Sequence, residues 1–288
     1  MANYWLIDSK NWVLVACLLM LMNITEANEQ IISARLADNK TVTAEFRSGE
    51  SGSPAVLIVH GFLQTRNYLT VSTIAESAAE AGYTVLTPTL SLGVSERKKS
   101  LQCEAIHVHS FEEDIAEIDY WVKWLEKKGH RKIVVIGHSF GSLQLLGYLL
   151  NHSSSSVTQF IATSLLDASR ERSTEKLQAY LLDARNRVKN ADKSLGEYAL
   201  SYCKKYVSPA SAYLSYAEWS RKRILNSVKK ADIPITVILG SKDKRLDPDW
   251  QKELKTYGAK VIMINGANHF FAADHEFDLL ETVQKLLR

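Results

Sequence analysis

Ile133-Val134-Val135-Ile136-Gly137-His138-Ser139-Phe140-Gly141 runs directly into Ser142-Leu143-Gln144-Leu145-Leu146-Gly147-Tyr148-Leu149-Leu150. Four successive β-branched apolar residues read as a short buried strand, and the stretch after Gly141 reads as a helix. Between them stands Gly-x-Ser-x-Gly, which in that setting marks a tight strand-to-helix turn with serine at its apex. Such a turn forces the serine into a strained conformation, and the glycines keep side chains away where strand and helix nearly touch. The hydroxyl of Ser139 is thereby lifted clear of the backbone at a helix N-terminus, where free N–H groups and the helix dipole favour negative charge. The pentapeptide alone is a weak signal, because an ordinary surface turn can carry it. Its context is what gives it weight.

Outward from this turn the chain alternates. Residues 31–36 and 41–46 flank Asp38-Asn39-Lys40 and read as a β-hairpin, followed by a loop, Ser48-Gly49-Glu50-Ser51-Gly52-Ser53-Pro54. Strands are expected at 55–59, 84–90, 132–136, 159–166, 235–239 and 260–264. Helices are expected at 68–81, 111–127, 143–150, 248–257 and 277–287. Alternating strands and helices imply right-handed crossovers and a parallel sheet covered on both faces. The expected fold class is therefore α/β, a mostly parallel doubly wound sheet. Residues 169–230 break the pattern. They carry no convincing strand, are rich in charge and in tyrosine (Tyr180, Tyr198, Tyr202, Tyr206, Tyr213, Tyr216), and read as a helical cap inserted in the sheet fold.

A serine hydroxyl becomes a useful nucleophile when a base accepts its proton and a third group orients that base. His269, in Gly266-Ala267-Asn268-His269-Phe270, follows the last expected strand and is the candidate base; His275, at the start of the closing helix, is the weaker one. His60 and His138 flank motif glycines and are read as shaping turns. The expected acid is Asp243, in Gly240-Ser241-Lys242-Asp243 just beyond a strand end, with Asp167 as the alternative. Asp247 and Asp249 lie further on and are expected to cap the next helix, since Asp247 precedes Pro248 at an N1 position. Acyl transfer also needs donors for an oxyanion. The Phe140 N–H, directly after the serine, is one. The other is expected from Val59-His60-Gly61-Phe62-Leu63, with Phe62 N–H first and Leu63 second.

The strand leading to His60-Gly61-Phe62, then Gly137–Gly141, Gly240–Asp243 and Gly266–His269, in that order, resembles the α/β-hydrolase superfamily over almost the whole chain after about residue 31. The resemblance implies an α/β-hydrolase sheet with an inserted cap and a Ser139, Asp243, His269 triad in that chain order. The early loop departs from the HGGG type of many lipases and esterases. The reading that follows is a serine hydrolase of carboxylic esters needing no metal or organic cofactor. Thioesterase, amidase or peptidase, and acyltransferase chemistry use the same groups. A non-catalytic binding protein on this fold is the rival class, disfavoured by the completeness of the triad. The cap is expected to roof the pocket above Ser139, its tyrosines and leucines lining it or forming cap core. It should favour short to medium acyl chains.

Composition bounds the rest. The 288 residues are 46% hydrophobic and 23% charged, with a formal net charge of +3, as expected of an ordinary soluble globular protein. That charge is too small to argue for nucleic acid, and no basic run carries interleaved aromatics. The partner expected is a small-molecule ester. Trp12 to Met22 is an unbroken apolar run of signal-peptide length, too short to span a bilayer comfortably, and Thr25-Glu26-Ala27 offers a cleavage context. Residues 1–27 are therefore expected to be an export signal, and 28–288 the hydrolase domain of a periplasmic or secreted protein without a stable membrane span. An uncleaved anchor is the alternative. Cys17 sits too early in the apolar run for a lipidation site. Removal of the signal leaves Cys103 and Cys203, which a single disulfide could join. His107-Val108-His109 lacks companion residues at metal-ligand spacing and is read as site-facing or structural.

Overall fold

The computed structural model describes residues 29–152, 154–167 and 174–288. The expected export signal lies outside them. Among the described residues the elements run β1 (Glu29–Arg35), β2 (Thr41–Arg47), β3 (Ala55–Val59), α1 (Leu69–Glu80), β4 (Thr84–Thr89), α2 (Phe111–Lys127), β5 (Ile133–His138), α3 (Phe140–Asn151), β6 (Val157–Thr163), α4 (Thr174–Lys189), β7 (Leu195–Leu200), β8 (Cys203–Pro209), α5 (Ala210–Ala217), α6 (Arg221–Lys230), β9 (Ile235–Gly240), α7 (Trp250–Thr256), β10 (Lys260–Ile264) and α8 (His275–Leu287).

Strands β3, β5 and β9 are buried at every residue, the mark of a parallel sheet with both faces covered. Because side chains alternate along a strand, the same runs feed two cores. Val56, Ile58, Ile136, Ile161 and Ile238 pack with Val71 and Ile74 of α1 and Leu279 and Val283 of α8. Leu57, Val59, Val135, Ala162, Val237 and Leu239 pack on the opposite face with Ile118 and Trp121 of α2 and Leu145 and Leu146 of α3. The sheet order is β1-β2-β4-β3-β5-β6-β9-β10. The hairpin β1–β2 joins it antiparallel through β4, and every pairing from β4 to β10 is parallel. Parallel pairing places the C-terminal ends of β3, β5, β6, β9 and β10 on one edge, where ligands of such sheets bind.

Helix α2 begins where local chemistry dictates. Ser110 Oγ accepts from Glu113 N–H at 3.2 Å, and the Glu113 carboxylate accepts from Ser110 N–H at 2.7 Å, a reciprocal capping box. Glu112, Glu113 and Asp114 place negative charge in the first turn, favourable to the helix dipole.

The expectation of a strand-free cap is overturned. Between β6 and β9 the chain forms not only helices α4, α5 and α6 but an antiparallel hairpin, β7–β8, whose register pairs Tyr198 with Tyr206 and Leu200 with Cys203. Its two-residue turn is Ser201-Tyr202, with Ser201 at φ 49°. Neither residue is the glycine or asparagine that announces such a turn, so the hairpin leaves no local signature. Tertiary contacts hold it instead. Tyr198 stacks on Tyr213 at 4.1 Å and Tyr206 on His107 at 4.2 Å. The Cys103–Cys203 disulfide, with 5.3 Å between Cα atoms, ties β8 to the loop before α2.

Candidate active site

At the end of β5 the backbone turns within one residue into α3. Ser139 stands at the apex with φ 55° and ψ −117°, the strained conformation expected of it. Close approach explains the flanking glycines. A Cβ on Gly137 would lie 2.5 Å from Ser142 N, and one on Gly141 would lie 2.4 Å from His60 O. Ser139 N–H is held by Thr163 O at 2.8 Å, and Ser142 Oγ donates to Gly137 O at 2.7 Å. The first bond ties the turn to the neighbouring strand β6, and the second closes it onto the end of β5.

His269 arrives on the loop after β10. Gly266, at φ 82°, opens that loop. The close seating of Gly240 against it, 2.4 Å from a built Cβ to Ala267 O, brings the end of β9 alongside. Ser164 Oγ, at the end of β6, donates to His269 O at 2.7 Å, and Asn268 Oδ1 accepts from Phe270 N–H at 2.9 Å. The imidazole is thus oriented from both sides. Its Nε2 lies 2.9 Å from Ser139 Oγ and its Nδ1 lies 2.7 Å from Asp243 Oδ2. The other Asp243 oxygen accepts from Arg245 N–H at 2.9 Å. Burial would push the Asp243 carboxyl up, but the His269 hydrogen bond and the charges of His269 and Arg245 outweigh it and leave it below its ordinary value. A carboxylate on Nδ1 fixes the tautomer that leaves the Nε2 lone pair free to take the serine proton.

The remaining sequence candidates fall elsewhere. Asp167 lines the cavity beside Ser139 and sits 3.7 Å from Arg221, while the place on Nδ1 is taken by Asp243. His275 pairs with Asp278 at 3.1 Å. Of the two residues expected to cap α7, Asp249 holds the N-cap position without a side-chain cap bond, while Asp247 accepts from Asp249 N–H at 2.9 Å in the preceding turn. No group of His, Cys, Asp and Glu side chains suited to a metal is found among the described residues.

His60 and His138 shape the site. His60 Nδ1–H donates to Gly61 O at 2.9 Å, while Nε2 accepts from Leu90 N–H at 3.0 Å and the Arg97 guanidinium at 3.1 Å. Burial and the Arg97 charge push its pKa down to about 3, so the ring stays neutral. Burial first, and then His269 and Arg245, hold His138 far below its ordinary value. The loop after His60 comes against the serine: a Cβ on Gly61 would lie 3.5 Å from that of Ser139, and the Phe62 and Phe140 rings meet at 4.9 Å. Among the described residues no protein acceptor engages the amides of Phe62, Leu63 or Phe140.

The cavity at Ser139 is lined by Phe140, Leu143, Leu166, Asp167, Ser201 and Arg245, and measures about 20 Å³, room for about one water. The cap tyrosines do not line it. Tyr198, Tyr206, Tyr213 and Tyr216 are buried in the core that continues from the α2–α3 face of the sheet into the cap. Tyr202 bonds to the Phe62 loop, its hydroxyl 3.1 Å from Phe62 O. Arg97 and Ser164 escaped sequence reasoning, and Tyr202 stood there only as one of six cap tyrosines, because no motif links them to the serine; their contacts span 33, 105 and 140 residues.

Solved structures confirm the fold. Over 91% of this chain and 98% of its own, DcsB in complex with its substrate analogue superposes with a TM-score of 0.70 at 13% identity. The alpha/beta hydrolase GrgF from Penicillium sp. sh18 gives 0.67 at 15% identity, over 90% and 96% of the two chains. Est1E from Butyrivibrio proteoclasticus with ferulic acid bound gives 0.62 at 16%, over 90% and 97%. No curated protein matches the chain by sequence. The family model for the alpha/beta hydrolase fold matches residues 54–199, from the strand before His60 through the Ser139 turn into the cap. With its sheet order, its strained serine turn and this match, the chain belongs to the alpha/beta hydrolase family.

Proposed function

We propose that the protein is a serine hydrolase of carboxylic esters. One observation carries the reading: a strained Ser139 whose hydroxyl is 2.9 Å from His269, which is itself 2.7 Å from a buried carboxylate. Ser139 attacks the acyl carbon while His269 takes its proton, and Asp243 stabilises the imidazolium that forms. The Phe62 and Phe140 amides receive the tetrahedral oxyanion. His269 then protonates the leaving alcohol and afterwards activates the water that releases the acid.

The small cavity beside Ser139 supports a preference for short acyl chains over bulky ones such as the feruloyl group. A fluorophosphonate probe is expected to label the protein, and among p-nitrophenyl esters acetate and butyrate should turn over faster than long-chain esters. Absence of labelling, or a rate maximum at long chains, counts against the respective part of the reading.

We further propose that the protein is exported, with residues 1–27 removed. The apolar run at Trp12 to Met22 suggests it, and the Cys103–Cys203 disulfide supports it, since such bonds persist in oxidising compartments. N-terminal sequencing of the protein recovered from its cells is expected to begin after Ala27; soluble cytoplasmic protein with an intact Met1 refutes export.

A further inference from the structure

The loop that bears the Phe62 amide is held by its carbonyls, and from outside itself. Phe62 O accepts from the Tyr202 hydroxyl at 3.1 Å, Leu63 O from Leu101 N–H at 2.9 Å, and Gln64 O from the Arg97 guanidinium at 2.6 Å. Leu63 sits at φ 57°, a left-handed conformation that a leucine keeps only when its surroundings impose it. Two of the three donors stand beside the disulfide. Tyr202 precedes Cys203, and Leu101 lies two residues before Cys103. The cross-link therefore fixes both anchors to each other while they grip adjacent peptides.

Tyr202 differs from the other cap tyrosines. It is 46% exposed, sits at the tip of the hairpin β7–β8, and meets the Phe62 ring edge-on at 5.6 Å. Its neighbour Ser201 lines the cavity beside Ser139. A half-exposed side chain contributes little to a core. What it does here is to hold one carbonyl, that of Phe62, and so the peptide that joins Phe62 to Leu63.

We propose that Tyr202 is a positioning residue for the oxyanion donor: its hydroxyl, held in place by the adjacent Cys103–Cys203 disulfide, fixes the Phe62–Leu63 peptide and with it the backbone torsions at Phe62 that aim the N–H of the adjoining Gly61–Phe62 peptide. The inference rests on the assignment of Phe62 to the oxyanion made above. An amide donor acts in the transition state more than in the ground state, so its misplacement lowers kcat rather than raising KM.

Tyr202→Phe keeps the ring and deletes only the hydroxyl. With a p-nitrophenyl ester, kcat is expected to fall about tenfold, the equivalent of one hydrogen bond's net contribution, while KM stays within about twofold. A boronic acid that mimics the tetrahedral adduct should bind more weakly by the same factor, with the thermal midpoint unchanged. Because the disulfide is argued to act through Tyr202, Cys103→Ser/Cys203→Ser should lower kcat in the wild-type background and add little in Tyr202→Phe. An unchanged kcat in Tyr202→Phe, a loss confined to KM, or full additivity with the cysteine substitutions overturns the proposal and leaves the hydrolase reading standing. A wild-type protein that neither hydrolyses esters nor takes the fluorophosphonate overturns both.

Discussion

Ser139→Ala is expected to abolish fluorophosphonate labelling and to cut ester turnover by about six orders of magnitude, with the fold intact. The magnitude follows from the way a nucleophile and its base act as a unit: removing either one costs about as much as removing the whole set. His269→Ala should therefore be about as damaging as Ser139→Ala. Asp243→Asn should cost less, about four orders of magnitude, because the amide keeps the contact but favours the wrong imidazole tautomer. The residual rate comes from the oxyanion amides and from substrate binding. Small size and partial exposure at Ser139 mean that alanine opens no large cavity, and the one bond it removes is that to His269 Nε2. Near-wild-type hydrolysis by Ser139→Ala would end the mechanism. If Asp167→Asn, not Asp243→Asn, silenced the enzyme, the acid would move to Asp167 despite its distance from the Nδ1 contact.

Reducing the Cys103–Cys203 bond is expected to lower stability by about 5 kcal/mol, the loop-entropy figure for a ring of this size; the linked positions are 100 residues apart. The bond joins the loop before α2 to strand β8, so the cap's hairpin is tied to the core by a covalent link as well as by packing. Denaturant midpoints with and without a reductant measure the effect. The reduced protein should unfold at distinctly lower denaturant, and the hairpin should lose amide-exchange protection before the sheet does. Superimposable unfolding curves would show that packing of Tyr198, Tyr206 and Tyr213 holds the cap alone.

The parallel sheet was legible because strands such as Ala55-Val56-Leu57-Ile58-Val59 and the run Ile133-Val134-Val135-Ile136 are apolar without a break and alternate with helical stretches, a pattern that fits two-sided burial. The turn at Ser139 was legible because its geometry is local: two glycines stand where a Cβ would strike backbone atoms of Ser142 and His60. Asp243 and His269 were found for a related reason, since each follows a recognisable strand by a few residues and parallel pairing brings those ends together. The hairpin β7–β8 was not, because Ser201-Tyr202 lacks turn residues and its strands contain Glu197, Lys204 and Lys205, which carry little β preference.

By itself, then, the sequence determined the α/β class, the strained serine and the chain order of its partners, all consequences of local sterics and of hydrophobic periodicity along single elements. Tertiary structure alone decided that Asp243 rather than Asp167 reaches His269, that four of the cap tyrosines enter the core instead of lining the cavity, and that Tyr202 holds the Phe62 carbonyl. Each of these depends on contacts between residues far apart in the chain. Such contacts are set by how whole elements pack and by one cross-link, and they leave no periodic trace in the residues that make them.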